Sequence, residues 1–356
     1  MANPFKFGTI VGEEFFTDRT REAKDIKHVL ASNNHLILIS PRRYGKTSLA
    51  LKVVKMLKRP VIYLDLQITT DAADMATQIM KRVLKISKWE KVKNAVSGFR
   101  IMPTLELNPL NGGINVTFTP SASDSFVPLE DVMNLIEHIG EKGKRPIVIL
   151  DEFQEIEALG KNLPKKFRSV IQSHSHVNYV FLGSAESMMR QIFETKKSPF
   201  YHFGHLMTMG KIPHEDFLGY LETRLGRVTD KAADLSAQIL AFTDCHPYYT
   251  QQLAFYCYTY LEENGYQDGL MDSVISAVLS IHNNDFEKLW NTMRSTDKKI
   301  MIALAEGWGV SSVAIPSSTA YSGLGRLAAQ GYVVKNENYE LDDPFFARWI
   351  VAKRNA

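Results

Sequence analysis

Residues 40–48 contain the residue types of a phosphate-binding loop in the required order. They read Ser-Pro-Arg-Arg-Tyr-Gly-Lys-Thr-Ser, which fits the pattern G-x-x-x-x-G-K-[ST] except at its first position, where Ser40 replaces glycine. Gly45 allows the backbone to approach phosphate oxygens, Lys46 supplies positive charge for the β- and γ-phosphates, and Thr47 offers a hydroxyl to Mg²⁺. The stretch predicts a site for a nucleoside polyphosphate, with candidate contacts at Ser40, Pro41, Arg42, Arg43, Tyr44, Gly45, Lys46, Thr47 and Ser48.

Two acids, Asp151 and Glu152, follow the apolar run Ile147–Leu150 roughly a hundred residues after this loop. Asp151 is expected to hold Mg²⁺, directly or through water, and Glu152 is the candidate base that activates an attacking water. Ser184 follows another apolar run, where its hydroxyl can sense a γ-phosphate, although ordinary strand ends and turns use the same residue types. The predicted catalytic residues are Lys46, Asp151, Glu152 and Ser184, with Thr47 and Asp151 as metal ligands.

The segments that would position these side chains alternate between strand and helix patterns. Apolar runs typical of buried parallel strands cover Leu36–Ile39, Val61–Leu66, Pro146–Leu150 and Val177–Leu182. Helical spacing of apolar residues begins after Lys46, at Leu49, and continues to Leu57. We therefore predict an α/β fold in which a parallel sheet is flanked by helices and the acids lie at the carboxyl ends of strands.

Three domains are predicted from the order of these patterns. Residues 1–210 form the sheet domain, with a hairpin insertion at about residues 89–125 whose strands Ile101–Leu107 and Ile114–Phe118 flank residues 108–113. Residues 211–293 predict a helical lid, with helices His214–Leu225, Ala232–Thr243, Tyr248–Asn264, Leu270–Ile281 and Asp285–Met293. Residues 294–356 predict a winged helix, with helices Asp297–Ala305 and Ser317–Gln330 and a β-wing around residues 336–338.

Residues outside the loop are further candidates for the site. Arg19 is predicted to contact nucleotide from just upstream of the loop, although a solvated arginine fits the same position. His246 and Pro247 precede a long helical pattern and are predicted to face the nucleotide from the lid, with a structural turn as the alternative. Arg168 lies in a basic helical stretch and is a candidate arginine finger for a neighbouring subunit, or a surface cation.

Composition limits the class of protein. The chain has 356 residues, 45% of them hydrophobic and 23% charged, with a formal net charge of +3, which predicts a soluble protein of two or three domains. No apolar run approaches the roughly 18 residues of a membrane span, and no signal-peptide pattern is found. Cys245 and Cys257 are the two cysteines and have no zinc-site spacing. We expect a cytoplasmic protein with reduced thiols, no structural metal and no membrane partner.

The predicted winged helix raises the possibility of DNA binding. Its third helix, Ser317–Gln330, carries a single cation, Arg326. Helices that read duplex DNA normally bring more positive charge to phosphates and base edges. DNA is therefore a weakly supported partner, and protein contacts or autoinhibition are the competing uses of this segment.

Short motifs are spread over nearly the whole chain: Phe16–Glu22, Pro41–Leu49, Asp151–Gln154, Gly183–Ser184, Ser198–Tyr201, His246–Tyr249 and Asp343–Phe346 followed by Trp349. Together they resemble the archaeal-type ATPase family, an AAA-like branch of P-loop proteins related to the STAND and replication-initiator ATPases. The resemblance implies an AAA-like sheet that binds ATP or ADP with Mg²⁺ through the loop, the two acids and Ser184. It also implies that Pro247 touches nucleotide from a helical lid and that a winged helix ends the chain.

Three hypotheses of function follow. The first is a Mg²⁺-dependent ATPase that acts as a nucleotide-controlled switch and is slow without a protein partner or self-association. The second is a DNA-associated module in which the winged helix is the working part. The third is an interaction scaffold that holds ATP or ADP without turnover.

Overall fold

The structure, a computed structural model, describes residues 2–10, 12–17, 19–87, 92, 96–107, 114–118, 125–335 and 338–355. The chain divides into two compact units. The sheet unit comprises Thr20–Ser40 and Lys46–Met209, and the helical unit comprises Met1–Arg19, Pro41–Gly45 and Gly210–Ala356. The sequence of the phosphate loop is thus divided between them, because residues 41–45 belong to the helical unit and the flanking residues to the sheet unit.

A five-stranded parallel sheet forms the centre of the sheet unit. In chain order, the strands of this unit are β1 (Leu36–Ile39), β2 (Val61–Asp65), β3 (Thr104–Leu107), β4 (Ile114–Thr117), β5 (Ile147–Asp151), β6 (Asn178–Gly183) and β7 (His205–Thr208). The spatial order of the main sheet is β2-β5-β6-β1-β7, and β3 and β4 form a separate antiparallel pair. The predicted parallel sheet is therefore confirmed.

Burial explains which strands the sequence could predict. The three inner strands β5, β6 and β1 are buried along their whole length, as expected for parallel strands covered on both faces. The edge strand β7 was not predicted from the sequence. It is short, and its terminal residues His205 and Thr208 are exposed, so it lacks the continuous apolar run of the inner strands.

Helices flank this sheet, and each of them buries several apolar residues. They are α1 (Thr20–Ala31), α2 (Lys46–Met56), α3 (Ala72–Ile86), α4 (Val127–Glu141), α5 (Leu163–Ile171) and α6 (Glu186–Glu194). Phe153, directly after the acidic pair, is fully buried with its ring centroid 4.5 Å from that of Phe181 in β6. This aromatic packing anchors the chain just beyond β5 and so fixes the position of the two acids.

The two strands predicted at Ile101–Leu107 and Ile114–Phe118 are present as β3 and β4, which pair antiparallel with Thr104 opposite Thr117. The insertion at about residues 89–125 stays a prediction. The turn predicted between these strands, residues 108–113, lies outside the described residues. Residues 336–337 of the predicted β-wing also lie outside them.

The helical unit contains α7 (His214–Leu225), α8 (Ala232–Thr243), α9 (Pro247–Asn264), α10 (Leu270–Thr292), α11 (Ser295–Ala305), α12 (Ser317–Ala329) and α13 (Pro344–Asn355). Two short antiparallel strands, β8 (Val333–Lys335) and β9 (Tyr339–Leu341), connect α12 to α13. Aromatic side chains from α10 and α13 form part of its core, with the Phe286 and Phe346 ring centroids 5.0 Å apart. The boundaries of the three predicted domains and the winged helix stay predictions.

The prediction of separate helices at Leu270–Ile281 and Asp285–Met293 is wrong, because α10 is continuous from Leu270 to Thr292. The residues between the two predicted segments, 282–284, are polar and could have left the helix. Instead, their side chains find partners on neighbouring helices: His282 Nε2 lies 2.9 Å from Gln252 Nε2, and Asn283 Oδ1 accepts a 2.8 Å hydrogen bond from Trp349 Nε1. Polar residues that are paired inside the unit do not need to leave the helix.

Of the helices in the described part of the chain, none has both the length and the apolar character required to cross a membrane.

Candidate functional site

The start of α2 meets the carboxyl end of β5 in the sheet unit. Thr47 Oγ1 donates a 2.6 Å hydrogen bond to Asp151 Oδ2. Parallel pairing places the carboxyl ends of neighbouring strands at one edge of the sheet, with Asp151 in register with Asp65 of β2. The start of α2 and the acids, which are about a hundred residues apart in the sequence, are therefore brought together.

Lys46 is paired with both acids that follow β5. Its Nζ lies 2.8 Å from Glu152 Oε1 and 3.9 Å from Asp151 Oδ1. All three side chains are largely removed from solvent, with 9% of Lys46, 12% of Glu152 and 5% of Asp151 exposed. A buried charge needs a partner of opposite sign, so this ammonium is held between two carboxylates.

Glu152 has left-handed backbone torsions, with φ of 49° and ψ of 48°. A residue other than glycine in this region carries strain of about 1–3 kcal/mol, which the surrounding structure must offset. Ser184 Oγ donates to Glu152 Oε2 at 2.5 Å, and Gln154 Nε2 donates to the same oxygen at 2.6 Å. We call Lys46, Thr47, Asp151, Glu152 and Ser184 the carboxylate cluster.

Electrostatics keep Glu152 ionised. Burial favours the neutral carboxyl, but the Lys46 ammonium and the hydrogen bonds from Lys46, Ser184 and Gln154 outweigh it, so the pKa of Glu152 is lowered from its ordinary value. The carboxylate form is the one that can accept a proton from water.

Tyr63 in β2 belongs to this site but was not predicted from the sequence. Its hydroxyl donates a 3.0 Å hydrogen bond to Asp151 Oδ2, the oxygen that also accepts from Thr47. Burial, followed by the Asp151 carboxylate, raises the pKa of Tyr63, so the phenol stays a donor. The available signal was its position on the strand that pairs with β5, two residues before Asp65.

Two further loop residues belong to the sheet unit: Ser40 directly follows β1, and Ser48 lies in the first turn of α2. Ser40 and Ser48 are buried, and the Ser40 amide donates to the Gly183 carbonyl at 3.3 Å. α2 begins at Lys46, and the amide groups in the first turn of a helix mark a position where an anion is stabilised. The hydroxyls of Ser40 and Ser48 and the ammonium of Lys46 suit phosphate. The oxygens of Thr47 and Asp151, which are 2.6 Å apart, suit a hard cation.

Residues 41–45 lie in the helical unit, where two of them contact residues distant in sequence. The Arg43 guanidinium lies 4.6 Å from the ring centroid of Tyr248, and its Nη1 donates to the Tyr249 hydroxyl at 3.1 Å. Tyr44 is buried, and its hydroxyl is 3.5 Å from Asp342 Oδ1. Arg42 and Gly45 are exposed and Pro41 is half-buried.

Asp342 and Asp343 directly precede α13. Asp343 Oδ1 caps this helix by accepting the amides of Phe345 and Phe346 at 2.9 and 3.1 Å, with Pro344 at the first helical position. Burial raises the pKa of Asp343, against the effects of these amides, of the Tyr249 hydroxyl and of Arg43. We call Arg43, Tyr44, Tyr249, Asp342 and Asp343 the loop-apex cluster.

His246 and Pro247 begin α9, and His246 is its N-cap. His246 Nδ1 accepts the amides of Tyr248 and Tyr249 at 3.2 and 3.5 Å, so its Nε2 carries the ring proton. That Nε2 is 3.4 Å from Asp342 Oδ1, but the two atoms are not aligned for a hydrogen bond. Nδ1 of His246 therefore has a structural role in capping α9, which is what the structural-turn alternative describes.

The two candidate arginines also have partners. Arg19 is 4% exposed, and its guanidinium donates to the carbonyls of Tyr44 at 3.3 Å and Gly210 at 2.8 Å, all within the helical unit. Arg168 in the sheet unit lies 4.0 Å over the Phe203 ring and donates to Gln172 Oε1 at 2.9 Å.

Three solved structures illustrate the similarity in fold. A Walker-type ATPase of Pyrococcus abyssi superimposes with a TM-score of 0.69 at 18% identity, covering 98% of this chain and 99% of the other. The ORC2 protein of Aeropyrum pernix, in ADPNP and ADP complexes, gives 0.53 at 14% identity, covering 99% and 100%. The ORC1 protein of the same organism, in complex with DNA, gives 0.50 at 13% identity, covering 96% and 93%.

No curated protein sequence matches the chain. A family model described as an ATPase domain predominantly from Archaea matches residues 16–249, which is more than half of the chain and contains the whole carboxylate cluster. The parallel sheet, the loop and the acids at the strand ends agree with that match. The chain therefore belongs to this family of archaeal-type, AAA-like P-loop ATPases.

Proposed function

We propose that this protein binds ATP with Mg²⁺ and hydrolyses it to ADP and phosphate at the carboxylate cluster. The observation that carries the proposal is the convergence of Lys46 and Thr47, at the start of α2, on Asp151 and Glu152, at the end of β5. One side supplies a cation and a hydroxyl for phosphate, and the other supplies two carboxylates. Phosphoryl transfer requires this division of roles.

The donor atoms at Thr47 and Asp151 fit Mg²⁺. A hydroxyl and a carboxylate oxygen 2.6 Å apart are hard donors, and Mg²⁺ is commonly held by one or two such groups while it keeps several waters. When bound, Mg²⁺ would neutralise charge on the β- and γ-phosphate oxygens. Tyr63 holds the Asp151 carboxylate in place from the neighbouring strand.

Phosphate binding is assigned to residues Ser40 to Ser48, with Lys46 and the first amides of α2 as the principal donors. Arg19, His246 and Pro247 were also predicted contacts. The proposal does not depend on them, since the guanidinium of Arg19 and the ring of His246 are already engaged within the helical unit.

Glu152 is assigned as the base that orients and deprotonates water. Its Oε1 is paired with Lys46, so a polyphosphate that attracts the Lys46 ammonium would free this oxygen to accept a water proton. Ser184 and Gln154 hold Oε2 and would keep the carboxylate in position during that exchange. In this proposal, substrate binding itself converts Glu152 from an ion-pair partner into a base.

The loop-apex cluster supports a nucleotide-controlled switch as the finer function. Arg43 and Tyr44 belong to the phosphate-loop sequence, yet they are tied through Tyr249 and Asp342 to the beginning of α13. A phosphate that draws Arg43 away from Tyr249 would change the contacts at the start of that helix. The state of the nucleotide would thereby be transmitted to the C-terminal segment.

DNA binding is not included in the proposal. The ORC1 neighbour is described in complex with DNA, but here Arg326, the one cation of α12, is paired with Asp297 at 2.7 Å. A helix whose single positive charge is already neutralised contributes little to phosphate binding.

A Glu152→Gln variant tests the proposed hydrolysis. We expect phosphate release to fall by about 100-fold or more, since general-base catalysis contributes at least that much, while ATP binding is retained. Glu157→Gln, which neutralises an exposed acid of the same segment, is the matched control and should hydrolyse like the unaltered protein.

The readout is phosphate release with and without Mg²⁺, together with the nucleotide content of the purified protein. Unchanged turnover in Glu152→Gln would remove Glu152 as the base. Bound ADP without turnover in the unaltered protein would instead favour the non-hydrolysing scaffold.

A further inference from the structure

A second group of possible metal ligands lies on the sheet unit, away from the carboxylate cluster. Glu137 and Glu141 on α4 and His176 in the loop between α5 and β6 each present a ligand atom, and these atoms lie within 4.8 Å of one another. The loop precedes β6, whereas Ser184 follows it, so six residues of extended strand, about 20 Å, separate the two sites along β6.

The backbone brings the three side chains together. Glu137 and Glu141 are one helical turn apart and therefore lie on the same face of α4. Between them, Gly140 allows the loop to approach the helix closely, because a Cβ added there would be 2.2 Å from the carbonyl oxygen of His176. The position of His176 over the two acids thus depends on the missing side chain at residue 140.

Hydrogen bonds hold the loop but do not use all the donor atoms. Glu137 Oε1 accepts the Ser175 amide at 2.8 Å and His176 Nδ1 at 2.8 Å. Glu137 Oε2 accepts only a share of the His176 amide, at 3.0 Å. Its carboxylate therefore keeps lone pairs for another ligand.

Glu141 has no comparable structural task. Its side chain is 47% exposed, and its Oε2 is 3.1 Å from Nδ1 of His138 on the same helix. In the described part of the chain, no lysine or arginine lies within 4 Å of either carboxylate. Two like charges one turn apart repel each other, so a cation at this point would be stabilised.

We propose that Glu137, Glu141 and His176 bind a divalent first-row transition metal, with Zn²⁺ as the preferred ion. An imidazole nitrogen with two carboxylate oxygens suits zinc better than Mg²⁺ or Ca²⁺, which prefer all-oxygen ligands. Ligands bound to zinc at about 2.0–2.2 Å lie roughly 3.4 Å apart. Ligand atoms that now lie up to 4.8 Å apart would have to approach by about 1.4 Å, and Glu137 Oε1 and His176 Nδ1, now 2.8 Å apart, would have to separate by about 0.6 Å.

Metal binding requires a change of tautomer at His176. His176 must present an unprotonated Nδ1, so its ring proton moves to Nε2, and water completes the coordination. The metal would tie α4 to the loop before β6 and so brace the end of the sheet opposite the proposed ATPase site. This inference does not depend on the proposed function.

The test is a zinc titration of the full chain after removal of metals with a chelator. Excess Mg²⁺ is present to occupy the carboxylate cluster, and a chromophoric chelator competes for zinc. We expect one zinc per chain in the unaltered protein and an affinity at least about 10-fold weaker in Glu141→Gln, because even outer-shell changes at metal sites cost 10- to 100-fold. Glu141 is exposed, so this variant should fold.

Two further variants serve as controls. Glu186→Gln, on another helix of the sheet unit where the acid pairs with Arg190, should bind zinc unchanged. Asp151→Asn should also retain the site. Zinc binding in the unaltered protein that is no tighter than in Glu141→Gln, or binding that disappears in Asp151→Asn instead, would overturn the proposal.

Cobalt supplies a readout of the nitrogen ligand. Co²⁺ bound in place of zinc should give visible absorption that is weakened in His176→Gln and unchanged in Glu186→Gln. An identical cobalt spectrum in His176→Gln, with the fold intact, would contradict coordination by this imidazole.

Discussion

The Tyr63 hydroxyl donates to the same Asp151 oxygen that accepts from Thr47, at 3.0 and 2.6 Å respectively. Two donors from different elements therefore fix one carboxylate oxygen. A carboxylate whose orientation is set in advance loses less freedom when it binds a metal.

Replacing Tyr63 with phenylalanine should weaken Mg²⁺ binding without abolishing hydrolysis. A hydrogen bond to a charged group contributes about 1.5–3 kcal/mol, and part of that loss should appear as a 3- to 10-fold higher Mg²⁺ concentration for half-maximal ATPase activity. The measurement is a Mg²⁺ titration of phosphate release at saturating ATP. Tyr321→Phe, which alters an exposed tyrosine of the helical unit, is the control. An equal Mg²⁺ requirement in Tyr63→Phe and the control would show that this phenol has no positioning role.

Replacing Lys46 with methionine should make stability depend differently on pH. Lys46 and hydrogen bonds lower the pKa of Glu152 below its ordinary 4.5, so the ionised pair stabilises the fold above that pH and loses this effect as pH falls through the lowered value. Without Lys46, burial dominates and disfavours the carboxylate. The variant should therefore be less stable at neutral pH by about 2–4 kcal/mol, and the gap should narrow in acid.

Urea unfolding at pH 7 and near pH 4 measures this difference. Lys85→Met, which removes an exposed lysine of α3 in the same unit, controls for the loss of one lysine. The difference in unfolding free energy between Lys46→Met and the unaltered protein should change over this pH range. A constant difference would contradict the pairing of Lys46 with an ionised Glu152.

Removing the Tyr249 hydroxyl should release Arg43 from the loop-apex cluster. Tyr249→Phe breaks the 3.1 Å contact with Arg43. A hydrogen bond to a charged group contributes about 1.5–3 kcal/mol, and part of that should appear as an ATP affinity up to roughly 10-fold tighter. Tyr260→Phe, on the same helix α9 but bonded to Gln267, is the matched control. Calorimetric titration with a non-hydrolysable ATP analogue provides the affinities. A weaker or equal affinity in Tyr249→Phe would argue against competition between phosphate and the Tyr249 hydroxyl for Arg43.

Two glycine replacements should change stability in opposite directions. Gly140→Ala places a Cβ against the backbone of His176 and should lower the unfolding free energy by about 2–3 kcal/mol. Gly219 lies within α7 with no atom near an added Cβ, so Gly219→Ala should raise the unfolding free energy by about 0.5–1 kcal/mol through helix propensity. Thermal and urea unfolding measure both changes. Similar effects of the two substitutions would mean that the close approach of the loop to α4 does not exclude a side chain at residue 140.

The sequence predicted those parts of the fold whose signals are local. Buried parallel strands are continuous apolar runs, and the loop motif places the start of α2 at Lys46. From these, the meeting of Lys46 with Asp151 and Glu152 follows, since parallel strands end at the same edge of a sheet.

Other features depend on long-range partners that no local pattern reveals. Tyr44 and Asp342 are 298 residues apart, and nothing near either residue indicates the contact. The helix break expected near His282 does not occur because its partner, Gln252, lies on another helix. Tyr63 looked like any strand residue until its pairing with β5 aimed its hydroxyl at Asp151.

The left-handed torsions of Glu152 have a consequence for how the acidic pair tolerates change. Neighbouring residues of a regular strand point to opposite faces, yet here both acids approach the same ammonium because the main chain turns at the second one. The direction in which the Glu152 carboxylate points is therefore set by φ and ψ of this residue as much as by the choice of side chain. A β-branched residue at position 152 would remove the carboxylate and also tend to straighten the turn. We therefore expect this substitution to shift the position of Asp151 as well.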